Sequence, residues 1–442
     1  MAADDDGNRA TTGWKALVPW VLTAAVLLAT AVELALFGGR DVTGALTYAG
    51  RVSGVVFLIA AVLETAAVGA LFDLAKPRPA PYSGAAVIVA LLVSLLANII
   101  LLVLLLDGDF TPYAAFLALI PCACWSLVRL YKAGVWGRVP HPRGIALGVV
   151  LTGALAVANF THAQVYQPYA ATATLTTTVE FGKATVNEKN GSVSVPVRLR
   201  THNTGEVSLY LLGSLYQVSA LRDSYVARAR PDQRWLQDIN SGQRDLARHT
   251  DVTPGAYDLL AQGAFAGRAG LVQVLEPGAE IVTQNLVEFP RVPKGKPFVS
   301  LAAAANVVYL RKDRARLVDD YARSGRSSWT QQYEYGSANK APAWVTGGGR
   351  VNTFRYQSRI RHSTAVLEYT RAPHYVTLWW VLSELRKEGP FGPDLVAVVG
   401  PGDAVSRPPT PSERHRMRER YGLGYGPSGA LHVSLDELLK DP

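Results

Sequence analysis

Five apolar stretches dominate the first 160 residues of this 442-residue chain. A helix needs about 20 mostly apolar residues to cross the roughly 30 Å hydrocarbon core of a lipid bilayer. The stretches that approach this length are residues 14–37, 52–74, 85–106, 113–130 and 144–160. The third is the most uniform, and the fifth is the shortest. Because the links between them are short and polar, they predict a compact, multi-pass bundle of five transmembrane helices.

The composition changes after the fifth stretch. Residues 1–160 contain ten Lys/Arg and nine Asp/Glu, whereas the rest of the chain contains 34 and 26, so most of the net charge of +9 lies in the second part. The only cysteines, Cys122 and Cys124, lie in the fourth apolar stretch, so the second part contains no disulfide. Its roughly 280 residues are enough to form a core without one.

The distribution of Lys and Arg predicts the orientation. If residues 1–13 are cytoplasmic, the cytoplasmic segments hold eight of these cations, and the outer segments near the helix ends hold only Arg40 and Arg51. This bias predicts a cytoplasmic N-terminus, and five crossings then place the C-terminal part outside the cytoplasm of a cell-membrane protein. The first stretch is too long for a signal peptide and is interpreted as an anchor. A weak cleavage-like pattern at 161–163 leaves release of the outer part as a minor alternative.

A few polar side chains interrupt the apolar stretches. Glu64 lies near the middle of the second stretch, Glu33 lies in the outer third of the first, and Asn98 interrupts the third. Such groups are functional candidates because burying a charge in lipid is costly. One hypothesis is a proton or cation path in which Glu64 titrates. The alternative, favoured because no partner cation accompanies Glu64, is a protonated or hydrogen-bonded side chain that helps the bundle to pack.

After residue 161 the hydropathy pattern changes to a period of two, which is typical of strands with one buried face. Alternate residues of 192–200 form one such face: Val193, Val195, Val197 and Leu199. Turn signals such as Asn203-Thr-Gly205 separate successive strands. This spacing predicts an extracytoplasmic β-rich domain over 162–313, an antiparallel sandwich of immunoglobulin-like type, within a fold that is α+β overall. Apolar residues at helical spacing predict a helical insertion over 222–266.

Residues 314–388 are predicted to form a second α+β segment. In it, alternation over 351–362 and the apolar run 365–369 predict strands, whereas 376–387 is compatible with a strand or a helix, and its part 382–387 favours a helix. The rest of the chain, 389–442, is rich in Pro, Gly and Arg and is predicted to be a partly disordered tail. A capping box from Ser434 to Glu437 predicts one helix near its end.

The chain contains no motif that indicates catalysis. Its eight histidines do not fall at metal-ligand spacing, and no Gly-x-Ser-x-Gly nucleophile motif occurs. The glycines at 347–349 precede a strand rather than a helix, so they lack the context of a phosphate-binding loop. We therefore predict no catalytic, cofactor-binding or metal site and no cofactor, and the residues favour a non-enzymatic protein.

One strand suggests a ligand. Arg355, Arg359 and Arg361 share a face of the predicted strand 351–362 and carry charge suited to an anionic envelope polymer, such as wall teichoic acid, or to lipid head groups. The favoured alternative is a solvated strand face whose arginines pair with carboxylates such as Glu368. Nucleic acid is not an expected partner, because the strand is predicted to lie outside the cytoplasm.

The N-terminal block of five helices, followed by Asn203-Thr-Gly205 and by Leu-Gly-Ser-Leu-Tyr-Gln-Val at 212–218, resembles uncharacterised integral membrane proteins of Streptomyces and related actinomycetes. The resemblance covers the general layout of most of the chain and carries over no functional residues.

Three functions are compatible with this sequence. The leading hypothesis is an integral membrane protein whose outer β-rich domain serves binding or envelope assembly, with the bilayer and either an anionic polymer or another membrane protein as partners. The first alternative is a transport or channel component that uses Glu64. The second is an extracytoplasmic enzyme of unrecognised type.

Overall fold

A computed structural model of the chain describes a defined set of its residues. These are 6–46, 48–74, 76, 80, 82–105, 113–135, 148, 155, 170–221, 224–229, 232–233, 236, 250–253, 257–266, 273–291, 297–317, 329–330, 342–346, 351–370, 374–383, 395–401 and 407–440. The chain divides into two compact units. The helical unit comprises Met1–Ala170, Asp313–Arg316 and Arg361–Pro373, and the β-rich unit comprises Ala171–Lys312, Leu317–Ile360 and His374–Pro442.

The described helices range from four to 39 residues in length. They are α1 (Asp6–Gly44), α2 (Tyr48–Leu74), α3 (Ser83–Leu105), α4 (Tyr113–Lys132), α5 (Ala343–Thr346), α6 (Ala365–Thr370), α7 (Pro411–Tyr421) and α8 (Leu435–Leu439).

The first three helices contain segments that are long and apolar enough to cross a membrane, namely Val18–Gly44, Gly50–Leu74 and Ser83–Leu102. They match the first three predicted stretches and indicate that the protein associates with a membrane. The fourth predicted stretch lies in α4, a helix of 20 residues. The fifth stretch, 144–160, lies outside the described residues except for Gly148 and Leu155.

Apolar side chains spaced three or four residues apart give each of these helices a buried face. They form two clusters. The first cluster includes Val26, Leu27, Ala67, Val68, Leu71, Val87, Leu91 and Ala123. The second cluster consists of Leu34, Phe37, Phe57, Ala61, Ala97, Leu101 and Val366. Near the second cluster, α1 and α2 approach very closely: a Cβ atom on Gly38 would lie 2.7 Å from the Gly54 carbonyl oxygen. Only glycine fits such an approach of two helix backbones.

The described strands are numbered in chain order, and all of their pairings that we describe are antiparallel. They are β1 (Leu175–Phe181), β2 (Thr185–Asn187), β3 (Ser192–Asn203), β4 (Leu209–Leu221), β5 (Ser224–Ala229), β6 (Thr250–Thr253), β7 (Tyr257–Gly263), β8 (Gln273–Leu275), β9 (Glu280–Pro290), β10 (Ser300–Arg311), β11 (Ala315–Leu317), β12 (Trp329–Thr330), β13 (Val351–His362), β14 (His374–Ser383), β15 (Leu395–Pro401), β16 (Gly424–Pro427) and β17 (Leu431–Ser434).

Two sheets of the β-rich unit share one core. The first sheet has the order β1-β3-β2, with β9 paired to β3, and the second has the order β16-β10-β4-β7, with β17 paired to β10 and β8 to β4. The core contains the predicted face of β3 together with side chains from β4 and β10: Val193, Val195, Val197, Leu199, Leu209, Leu211, Leu301 and Val307. The alternation over 192–200 therefore identified the inward face of this strand.

A third sheet has the order β11-β13-β14-β15, with β12 paired to β13. It packs against β4, where a Cβ atom on Gly213 would lie 2.7 Å from Leu378 Cδ2 and 2.8 Å from Trp380 Nε1. It also meets β16, because the Tyr425 hydroxyl accepts a hydrogen bond of 2.9 Å from Ala397 N in β15. The central strands β4 and β10 are consequently buried along nearly their whole length. This explains why 300–311 is an almost continuous apolar run rather than an alternating one.

The region predicted as a helical insertion, 222–266, begins and ends in strands. β5 and β6 pair with each other, and β7 pairs with β4 from Tyr216 to Leu221. The prediction was wrong at these positions because the pairing of β5 with β6 and of β7 with β4 outweighed the helical spacing of apolar residues. Most of the central part of the insertion, residues 230–249, lies outside the described residues.

One further prediction in 314–388 is corrected: the run 365–369, expected to be a strand, forms α6. For 376–387, which is compatible with a strand or a helix, residues 376–383 belong to β14, and the rest of the part that favoured a helix lies outside the described residues. The pairing of β14 with both β13 and β15 supplies long-range hydrogen bonds that the local pattern did not reveal.

The described residues of the predicted tail, 389–442, mostly form strands and helices. It contains β15, α7, β16, β17 and α8, and both β16 and β17 pair with β10. Its Pro- and Gly-rich composition suggested disorder because composition does not report pairing with a strand more than 100 residues away. The predicted helix after Ser434 is α8, although its N-cap side chain makes no capping hydrogen bond.

Candidate functional site

Polar side chains form a layer between the two apolar clusters of the helical unit. On α1, Thr30 lies between Leu27 of the first cluster and Leu34 of the second. On α2, Glu64 lies between Ala61 of the second cluster and Ala67 of the first. On α3, Ser94 and Asn98 lie between Leu91 of the first cluster and Leu101 of the second. We call this set the polar layer: Thr30, Glu33, Glu64, Ser94 and Asn98.

Hydrogen bonds connect the part of the polar layer that lies between α1 and α3. The Thr30 and Ser94 hydroxyls are 2.8 Å apart, and Asn98 Nδ2 donates to Thr30 Oγ1 at 3.1 Å and to the Ser94 carbonyl at 2.8 Å. A carbonyl only accepts hydrogen bonds, so the Asn98 amide must turn its NH2 group toward Ser94. Its Oδ1 is thereby directed elsewhere, and it has no hydrogen-bond partner among the described residues.

The Glu64 carboxyl group is fully buried, and neither of its oxygens has a hydrogen-bond partner in the described part of the chain. Glu33 is half-buried, and its Oε2 is likewise buried without a partner there. An ionised carboxylate in such surroundings is strongly unfavourable unless a cation or several donors compensate it.

The structure places the three intramembrane residues that the sequence singled out on α1, α2 and α3, and it adds two hydroxyl residues that contact Asn98. Thr30 precedes Glu33 by three residues, and Ser94 precedes Asn98 by four. Residues at these spacings share a helix face, so the spacing was the available signal for Thr30 and Ser94. Ser126 on α4 is also fully buried, and its hydroxyl has no partner among the described residues.

A second feature of the helical unit is the docking of α6 on the end of α1. Ala365 N donates a hydrogen bond of 2.6 Å to Asp41 Oδ1, so a carboxylate lies at the N-terminus of α6, where it is favourable. The guanidinium of Arg40 lies 4.5 Å from the centre of the Tyr369 ring. Val366 is only 1% exposed and belongs to the second cluster. Sequence reasoning missed this arrangement because it predicted a strand here.

The basic strand has the predicted bounds, 351–362, and the predicted alternation. Tyr356 and Ile360 are buried, whereas Arg359 and Arg361 are exposed and Arg355 is half-buried. Burial raises the pKa of the Tyr356 phenol. Arg355 Nη2 donates to Gln357 Oε1 at 3.4 Å.

Glu368, the carboxylate considered as a partner for these arginines, accepts a hydrogen bond of 2.9 Å from His362 N. Arg359 and Arg361 are exposed at alternate positions of this strand. Among the described residues, no group of three or more His, Cys, Asp or Glu side chains is arranged to hold a metal ion.

Comparison with known proteins gives no family. No protein-family model matches the chain, and no curated protein matches it. Three solved structures are similar to parts of it: the ApaA protein of Bordetella pertussis (12% identity, 31% of this chain and 79% of that one, TM-score 0.18), the sporulation control protein Spo0M of Bacillus subtilis (10%, 51% and 90%, 0.17) and the alkylpurine DNA glycosylase AlkC of Pseudomonas fluorescens bound to DNA (9%, 66% and 95%, 0.15). TM-scores this low support no conclusion about fold or function.

Proposed function

We propose that this chain is a five-span membrane protein that presents its β-rich unit outside the cytoplasm for binding or for assembly of the cell envelope. The observation that carries the proposal is the docking of α6. This helix lies between β13 and β14 in the sequence, yet it packs at the end of α1 and the beginning of α2, through Phe37 and Phe57 of the second cluster. This contact supports placing the C-terminal part of the chain on the face of the membrane at which α1 ends.

Counting crossings from that point supports the fifth span. After α1, helices α2 and α3 bring the chain back to the same face, and α4 as a fourth crossing takes it away again. On this placement the chain makes one more crossing before β1, and we propose the apolar stretch 144–160 as that crossing. The excess of Lys and Arg on the opposite links supports assignment of the α6 face to the outside.

The β-rich unit has the features of a binding domain. Its first two sheets share a core in the manner of an immunoglobulin-like sandwich, a fold that holds strands and loops in fixed positions for recognition. The exposed arginines of β13 favour an anionic ligand, and wall polymers of the resembling actinomycetes belong to that class. We propose such a polymer, or another membrane protein, as the partner.

Labelling of single cysteines on intact cells tests the topology. In a variant with Cys122→Ser and Cys124→Ser, we place one cysteine by Gly429→Cys, in the exposed β16–β17 turn, or by Lys132→Cys, at the exposed end of α4. We expect a membrane-impermeant maleimide to label the first on intact cells and the second only after lysis. The reverse pattern, or labelling of both only after lysis, would contradict the proposal.

A further inference from the structure

We propose that the outer face of the third sheet binds a sugar ring that carries a phosphate group, with Arg359 holding the phosphate and Tyr375 packing on the ring. By outer face we mean the side of β13, β14 and β15 that points away from β4. This inference rests on the proposed function, because it assigns the anionic ligand of the β-rich unit to one chemical class.

The outer face is defined by the alternation of β14. Leu378 and Trp380 face β4. Successive side chains of a strand point to opposite sides of the sheet, so Tyr375 and Trp379 lie on the outer face. The helix α5 covers one end of this face, since the rings of Trp344 and Trp379 lie 5.9 Å apart in an edge-to-face arrangement. Trp379 is consequently buried, whereas Tyr375, at the other end, is only half-buried.

The first argument is the placement of a cation, an aromatic ring and open space side by side. Arg359 on β13 and Gly400 on β15 are the register partners of Tyr375, one on each side of it. Arg359 is exposed, and a Cβ atom on Gly400 would stand in open space. One neighbour of Tyr375 therefore brings a guanidinium group, and the other leaves room above the sheet. A sugar ring in that room would pack its apolar C–H face on the tyrosine.

The second argument is a chain of hydrogen bonds between this open end and α5. Gln357 Nε2 donates to Thr377 Oγ1 at 3.3 Å, and Arg355 Nη2 donates to Gln357 Oε1 at 3.4 Å. Arg355 is also the register partner of the buried Trp379. These contacts hold a second guanidinium group on the same face as Arg359, about 13 Å away along the strand. An anionic chain that follows β13 would therefore meet both groups.

The third argument is charge complementarity. The strands β12 to β15 contain no Asp or Glu, so this sheet brings no carboxylate of its own to the two guanidinium groups. Phosphate binds a guanidinium through charge-assisted and often bidentate hydrogen bonds. A neutral sugar would make no use of Arg359, and a phosphate without a ring would make no use of Tyr375. A phosphate-bearing sugar engages both.

Calorimetric titration of the full chain in detergent with two phosphate monoesters tests the site. Glucose 1-phosphate has a ring and a phosphate group, whereas glycerol 3-phosphate has the phosphate group without a ring. We expect the first to bind roughly tenfold more tightly, because its ring removes apolar area from water at Tyr375. Tyr375→Leu should abolish this preference, and Tyr210→Leu, the same change at a half-buried tyrosine of β4, should leave it intact.

Arg359→Gln should weaken the binding of both compounds by about tenfold, because both carry the phosphate group. The matched change Arg198→Gln, at an exposed position of β3, should affect neither. Equal affinity of the unmodified chain for the two compounds, binding of neither, or a preference that persists in Tyr375→Leu would overturn the inference.

Retention of the chain on immobilised wall teichoic acid separates this inference from the proposed function. Retention of the polymer combined with equal affinity for the two monoesters would overturn the sugar site and leave the proposed function standing. A preference for glucose 1-phosphate without retention of the polymer would support the site and contradict the polymer as the partner.

Discussion

Two buried asparagines show how differently the two units treat polar groups. Asn203, at the end of β3, is fully buried and uses its whole amide: Nδ2 donates to the carbonyls of Val207 and Leu275 at 2.9 and 3.0 Å, and Oδ1 accepts from Gly205 N at 3.1 Å. Asn98, in α3, is equally buried, but its Oδ1 has no partner among the described residues.

The difference follows from what each polar group does. Asn203 replaces the backbone hydrogen bonds that a tight connection between two strands cannot make for itself, so every group must be paired. In a helix the backbone is already satisfied, so Asn98 does not have to replace backbone hydrogen bonds, and its NH2 group instead joins α3 to Thr30 of α1. The contrast is one between these two side chains and not between the units as wholes, since Asn306 Oδ1 in β10 is also buried without a hydrogen-bond partner among the described residues.

The largest effect we expect is the loss of stability caused by Asn203→Ala, which is compared with the same substitution at Asn98. Asn203→Ala leaves two carbonyls and one amide buried without partners and should lower the free energy of unfolding of the β-rich unit by about 3 kcal/mol. Asn98→Ala should lower stability by less than about 1 kcal/mol, because interhelical hydrogen bonds in membranes contribute little. Urea unfolding in detergent, followed by the fluorescence of the buried Trp379 and Trp380, measures the first change.

Thermal aggregation of the detergent-solubilised chain measures the second change and ranks both variants on one scale. If Asn98→Ala were the more damaging of the two, the contrast between an asparagine that replaces backbone hydrogen bonds and one that joins two helices would be wrong.

The turn that contains Asn203 could be predicted from the sequence, because Asn203-Thr-Gly205 is a typical turn signal. The first three apolar stretches also match helices closely, because a membrane-spanning helix can be predicted from the apolar composition of one continuous segment. The strand β13 has the predicted bounds. Its alternation survives because one face of that strand is buried and the other is not. These elements are set mainly by residues close together in the chain.

The remaining elements depend on contacts between distant residues. The helix α6 is stabilised by Asp41, which precedes Ala365 by 324 residues, and the backbone of Ala305 in β10 is bonded by Ser428, 123 residues away. No local pattern reports such pairs. The same holds for the polar layer: the sequence identified Glu33, Glu64 and Asn98 separately, but only the packing of α1 on α3 shows that Thr30 joins Asn98.

An intermediate effect is expected at the surface of the β-rich unit. Replacing Arg355, Arg359 and Arg361 by alanine should weaken retention of the full chain on immobilised wall teichoic acid by about tenfold, because charge-assisted bonds to phosphate would be lost. The matched control removes the same charge at exposed positions elsewhere: Arg198, Arg414 and Arg416. Retention is measured by pull-down at constant salt concentration.

Equal losses in the two triple variants would mean that only net charge matters, and unchanged retention in the first would remove β13 from the binding surface. Either outcome would mean that the arginines of β13 do not form a specific binding surface for the polymer.

The smallest effect is expected where polar groups are both exposed and paired. Glu413 closes a capping box at the start of α7: Arg407 Nη2 donates to its Oε1 at 2.6 Å, and Thr410 N donates to its Oε2 at 2.8 Å. The hydrogen bond from Arg407, followed by that from Thr410 N, lowers the pKa of Glu413 to about 2 from its ordinary value of 4.5. A lowered pKa in the folded state means that the carboxylate stabilises the fold when it is ionised.

The contribution of Glu413 is therefore fully present above pH 4.5 and is lost as the pH falls through about 2. We expect Glu413→Gln to lower the melting temperature slightly at pH 6, with the difference from the unmodified chain shrinking between pH 4.5 and 2. Glu419→Gln, on the same helix but outside the cap, is the control for loss of one charge from α7. A difference that stayed constant down to pH 2 would show that the side chain acts through its shape rather than its charge, since only an ionised carboxylate accepts both hydrogen bonds with full strength.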